Sequence, residues 1–118
     1  VSVSLSTIVF PLVTVAVAPT ETVVMSLARV NLRGSRRITT YLSNEDAAQT
    51  FSGIVYRRLA GTVIWAASSM PDFSSVGPLG SVMADLDVEG TDELELRGTM
   101  SGAGGNVKVV ANRKAATP

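Results

Sequence analysis

A chain of 118 residues suits one domain of common size and is too short for a second core. Ten Lys plus Arg balance ten Asp plus Glu, which argues against a dedicated nucleic-acid binder. Neither Cys nor His occurs, which excludes disulfides, thiolate nucleophiles, Ser-His pairs and ordinary zinc sites. Any catalysis would fall to carboxylates, Lys or Tyr, and the expectation is a non-enzyme.

The 17 Val and 24 Ser plus Thr suit a pleated, half-buried surface and disfavour helix interiors. The balanced charge conceals an asymmetry. Residues 1–60 hold six Arg against Glu21, Glu45 and Asp46, a net +3. Residues 61–118 hold four basic and seven acidic groups, a net −3. No apolar run reaches membrane-spanning length, and no signal-peptide pattern is present, so neither membrane insertion nor a cofactor other than calcium is expected. The opening, without Met and already in alternation, reads as residues 1–118 forming one β domain cut from a longer polypeptide.

In chain order, Val1-Ser2-Val3-Ser4-Leu5-Ser6 alternates with period two, and the odd phase runs on through Val9, Val13, Val15 and Val17. Ile8, Phe10 and Leu12 make the even face apolar as well. Such a strand is either centrally buried or part of an interface, and Pro11, lacking an N–H, favours an edge or bulge. Residues 22–33 form a second strand. Gly34-Ser35-Arg36 reads as a three-residue hairpin loop that sets Leu32 opposite Ile38 and Val30 opposite Thr40. Ser43-Asn44-Glu45-Asp46 is placed to cap one helical turn through Ala47 and Ala48.

Strands follow over 51–59, 62–67, 82–88, 94–100 and 106–112. The stretch 68–81 has no period and carries two Pro and two Gly. The pattern predicts eight or nine strands, no long helix and an all-β, antiparallel β-sandwich, plausibly a jelly roll.

Four candidate surfaces emerge. Asp85, Asp87, Glu89, Asp92, Glu93 and Glu95 place six acids within eleven residues. A hairpin across Gly90-Thr91-Asp92 would set Asp87 against Glu95, Glu89 against Glu93 and Asp85 against Arg97. Asp85, Asp87, Glu89 and Asp92 then offer oxygen ligands to calcium. The competing readings are a solvated hairpin that resists edge pairing and a contact for a partner's basic patch. The exposed setting does not suit paired-carboxylate hydrolysis.

Arg29, Arg33 and Arg37 fall on one face of the first hairpin, and Arg57 and Arg58 form a second basic point. With Ile8, Phe10 and Leu12, the residues Arg29, Arg33, Arg37 and Arg57 are the candidates for a homodimer interface; the alternative is ordinary solvated Arg. The loop at 68–81 carries Met70, Asp72, Phe73 and Val76. It either folds back as a lid on the core or presents an exposed binding loop.

The Val1–Thr7 opening, the Val/Ser/Thr-rich strands and the lack of Cys and His together resemble the protruding domain of a small icosahedral RNA virus capsid protein. Nodaviruses of crustaceans and the tombusvirus group are nearest in style. That resemblance implies a structural β-sandwich on the virion surface, pairing into homodimeric spikes and contacting a host cell-surface receptor or glycan, with no nucleic acid bound through this domain. Some capsids of this kind bind calcium, which would engage the acidic cluster. The alternative is an extracellular carbohydrate- or protein-binding module of an adhesin or modular enzyme.

Overall fold

A computed structural model describes residues 6–28, 32, 37–59, 64–68, 71–88 and 91–114. Eight strands run in chain order: β1 (Ser6–Val17), β2 (Thr22–Leu27), β3 (Arg37–Asn44), β4 (Phe51–Arg58), β5 (Ala66–Ser68), β6 (Ser81–Asp87), β7 (Glu93–Met100) and β8 (Gly105–Lys114). One helical turn, α1 (Pro71–Ser74), precedes β6. The strands form two four-stranded sheets, here sheet A, ordered β1-β8-β3-β6, and sheet B, ordered β2-β7-β4-β5. Every pairing is antiparallel.

This order is that of a jelly roll. First strand pairs with last, second with seventh, third with sixth and fourth with fifth, as in one long hairpin. That hairpin is rolled until β8 meets β3 and β7 meets β4.

Alternation builds the core. In β3, Ile38, Thr40, Leu42 and Asn44 point inward and are fully buried. In β7 the inward phase is Leu94, Leu96, Gly98 and Met100. Phe51 and Val55 of β4 meet them from the neighbouring strand. Gly53 and Gly98 face each other in register, and the Phe51 ring occupies the space their missing side chains leave. A Cβ on Gly98 would come within 2.3 Å of that ring.

Several expectations require correction. The first hairpin does not form: β2 ends at Leu27 in sheet B, while β3 opens in sheet A. Ile38 faces Leu86 and Arg113, and Thr40 faces Ala84 and Ala111, so neither side of β3 is left for β2. The acidic hairpin fails for the same reason. Asp87 pairs with Arg37 and Asp85 with Thr39, whereas Glu95 pairs with Ser26 and Tyr56.

The turn at Ala47-Ala48 is a bend, not a helix. Asp46 still caps it, with Oδ1 accepting from the Ala48 and Gln49 N–H groups at 2.8 Å each. Phe73 and Val76 are core residues, 0% and 4% exposed. Val76 makes a two-bond bridge to Phe51, so this part of the loop is a plug and not an exposed binding loop.

Asn44 ties the loops at one end of the sandwich together. Its buried Nδ2 donates to the carbonyls of Gln49, Val76 and Gly77 at 2.8, 3.1 and 3.1 Å. Its Oδ1 accepts from the Asp46 N–H at 3.0 Å. The adjoining turn Gly77-Pro78-Leu79-Gly80 closes through Gly80 N–H to Gly77 C=O at 2.9 Å. Leu79 holds a left-handed φ of 57° there, a conformation that favours Gly or Asn in a turn with Pro before it.

Candidate functional site

The outer faces of the two sheets differ in chemistry. On sheet B, outward side chains of β7 and β4 stand in register: Glu93 with Arg58, Glu95 with Tyr56, Arg97 with Ile54, Thr99 with Ser52. Opposite charges across a strand pair stabilise it by a few tenths of a kcal/mol, up to about 1. Arg58 bonds Glu93 and lies over the Trp65 ring at 4.6 Å. Arg97 Nε donates to Glu95 at 2.8 Å and its Nη1 to Glu21 at 3.3 Å. Its guanidinium also lies 4.1 Å from the Tyr56 centroid and 5.4 Å from that of Trp65. The other Glu21 oxygen accepts from the Tyr56 hydroxyl at 3.0 Å.

These contacts hold Arg97 charged. Burial works against the charge, but the hydrogen bonds and attraction of Glu95 and Glu21 outweigh it and raise the pKa. The bond to Glu21, then burial, then the Glu21 charge lift the Tyr56 phenol above its ordinary 10.0, with Arg97 pulling the other way.

Beside this lattice a shallow groove of about 340 Å³ crosses the sheet. Its lining is Glu21, Ser52, Gly53, Ile54, Ser74, Arg97, Gly98 and Thr99. The groove exists because outward residues along one row, Ser52 and Thr99, are small, while Ile54 and Arg97 in the next row rise beside them.

On sheet A the corresponding row is apolar. Tyr41 stands between Val110 of β8 and Met83 of β6. Pro11 and Leu12 lie in the β1 bulge opposite Val110, between the Phe10–Ala111 and Val13–Val109 pairs. Met83 is 67% exposed and Leu12 62%. Ile8, at 63%, is on the same edge strand. Polar rows flank this stripe: Asn112, Thr39 and Asp85 on one side, Lys108 and Ser43 on the other.

The structure separates the residues that the sequence grouped. Ile8 and Leu12 are exposed on β1, but Phe10 packs against the core. Arg37 is on sheet A two strands away from β1, beside Asp87. Arg57 belongs to sheet B, where its guanidinium donates to the Asp87 carbonyl and ties the sheets together. Arg29 and Arg33 lie outside the described residues, as do Glu89 and Met70 and the Asp72 side chain.

The acids proposed for calcium divide between elements. Asp85 and Asp87 are on the outer face of β6, with Asp85 accepting from the Thr39 hydroxyl at 2.7 Å. Asp92 precedes β7, where its N–H donates to the Arg58 carbonyl. Among the described residues no three acidic side chains form a group able to hold a metal ion.

Glu21, Arg97 and the hydroxyl row went unnoticed in the sequence as parts of one surface. The alternation Glu93, Glu95, Arg97, Thr99 placed them on one face of β7. Their neighbours come from β4 and from the turn before β2, which local spacing does not reveal.

No protein-family model matches the chain. No curated protein matches it in sequence. Similar folds exist among solved structures. One is a chain from Bacillus endospore appendages, described as a novel family of disulfide-linked pili. It has a TM-score of 0.50 at 8% identity, over 98% of this chain and 91% of that one. The SPBc2 prophage-derived protein YomS gives 0.52 at 15% identity, over 98% and 96%. The infectious bursal disease virus VP2 subviral particle gives 0.43 at 13% identity, over 98% of this chain and 38% of that one.

For the appendage chain and YomS, at these identities, the likeness is one of fold alone. The disulfide link named for the appendages has no counterpart within these 118 residues, which contain no Cys. Among the described residues no helix is long and apolar enough to cross a membrane.

Proposed function

We propose that this domain is a structural module of a particle or appendage surface, of the kind a capsid protruding domain represents, and that it pairs with a second copy of itself. The observation that carries this reading is the exposed apolar edge of sheet A. Ile8 and Leu12 lie on a twelve-residue edge strand, and Leu12 continues into the stripe Val110-Tyr41-Met83 across the sheet.

An edge strand presents a row of backbone donors and acceptors along its free side. The bulges around Pro11 limit open-ended strand addition and so favour a closed pair. An isologous contact satisfies such a patch with a second copy of the same patch. Jelly rolls serve capsids and lectins alike, so the fold is compatible with an attachment role at a host surface without specifying it.

Sedimentation across nanomolar to high micromolar concentration tests this. A monomer–dimer equilibrium supports the reading, as does a melting temperature that rises with protein concentration. A single monomeric species throughout overturns it.

A further inference from the structure

The groove on sheet B has a chemistry of its own, independent of self-association through sheet A. We infer that it is a binding site for a neutral saccharide.

Four observations select that ligand class. First, the row of small side chains leaves a trench of about 340 Å³, at the lower end of the ~300–1,000 Å³ common for ligand pockets. Second, its lining includes the hydroxyl-bearing residues Ser52, Ser74 and Thr99. Each hydroxyl both donates and accepts, which matches a ligand made of hydroxyls. Third, its two charges cancel. Glu21 and Arg97 bond each other at 3.3 Å, so neither a phosphate nor a cationic ligand meets an uncompensated charge. Fourth, the lining contains no aromatic residue on which a flat base could stack. Arg97 lies over Tyr56, and Arg58 and Arg97 lie over Trp65. Ile54, 42% exposed, supplies an apolar wall for the C–H face of a sugar ring.

The polar groups are also held in advance. Glu21 is fixed by the Tyr56 hydroxyl and Arg97, and Arg97 by Glu95. Less ordering entropy is therefore lost when a ligand arrives. The groove is shallow, so contact with a single sugar is weak, and a surface carrying many copies would multiply it.

The test is amide chemical-shift mapping of the whole chain. The titrants are neutral hexoses and N-acetylhexosamines, with sialic acid and inorganic phosphate as charged comparisons, each taken to high millimolar concentration. The expected result is saturable shifts at Ser52, Ile54, Ser74 and Thr99 with at least one neutral sugar. Ser52→Tyr, which fills the trench, weakens binding at least tenfold. Thr99→Val, which keeps the shape and removes a hydroxyl, weakens it severalfold with melting unchanged. Shifts confined to other surfaces, shifts with phosphate or sialic acid alone, or no shifts would overturn the inference. Sedimentation of the same samples keeps the readings apart, since a dimer blind to sugars removes only the groove and a sugar-binding monomer removes only the pair.

Discussion

The outer faces of sheets A and B share one backbone geometry and carry opposite solutions for exposed side chains. Sheet B spends its charged residues on one another: Arg58 meets Glu93 across the ladder, Arg97 meets Glu95 along its own strand, and each lies over an aromatic ring. Sheet A leaves an apolar row, from Leu12 to Met83, between two polar ones. A face whose polar groups are already satisfied gains little by meeting another protein surface. An apolar row loses free energy for as long as it stays in water, by roughly 25 cal/mol per Å². The difference is the ground for proposing association through sheet A, which would leave the groove of sheet B accessible to solvent.

Substitutions separate the two faces. The largest effect is expected from Leu12→Asp combined with Met83→Asp. Each places an unpaired charge in the contact, and dimer affinity should fall at least a hundredfold, or about 2.7 kcal/mol, in sedimentation equilibrium. Next is Gly98→Ala beneath sheet B. Its Cβ would press within 2.3 Å of the fully buried Phe51 ring. A cost of ~1–3 kcal/mol in denaturant unfolding follows, as for other overpacked cores, with association intact once the protein is folded.

Arg97→Met removes two ion pairs and two ring contacts around a side chain that is 19% exposed. It should cost about 1 kcal/mol in urea unfolding and leave association unchanged. If it abolished the dimer instead, the assignment of faces would be reversed.

The smallest effect concerns alkaline stability. The Tyr56 pKa is raised in the folded protein, so the folded state favours the protonated phenol. The associated stability is complete below pH ~10, the unfolded value, and disappears as pH rises through the folded value. Tyr56→Phe should flatten this alkaline limb in pH-dependent melting, and Glu21→Gln should lower the phenol's midpoint in ultraviolet titration.

How much of this was legible in the sequence depended on the range of the interaction. Period-two alternation located most of the strands and the shared phase of Ile38 and Thr40, because side-chain direction is a local property of extended chain; Asn44, read as part of a helix cap, is instead the buried end of β3. The role of Pro11 at a bulged edge was legible for the same reason. Partner choice was not. Consecutive strands pair in most folds, so hairpins across 34–36 and 90–92 were the natural expectation. A jelly roll instead sends β2 and β3, and β6 and β7, into different sheets. The acidic cluster and the Arg set were therefore divided between faces, and the Glu21–Tyr56–Arg97 lattice was assembled from segments up to 76 residues apart. Local pattern does not decide whether Phe73 and Val76 close the core or stand out as loop anchors, because the end of the sandwich they fill is defined only in three dimensions; they are buried.

The central claim is that copies of this domain meet through the outer face and β1 edge of sheet A. Amide hydrogen exchange at low and at high micromolar protein tests it most directly. The account predicts concentration-dependent protection over residues 8–12 of β1 and around Tyr41, Met83 and Val110, with exchange in 52–56 and 95–99 unchanged. Protection confined to those sheet B segments, or none that depends on concentration, would contradict it.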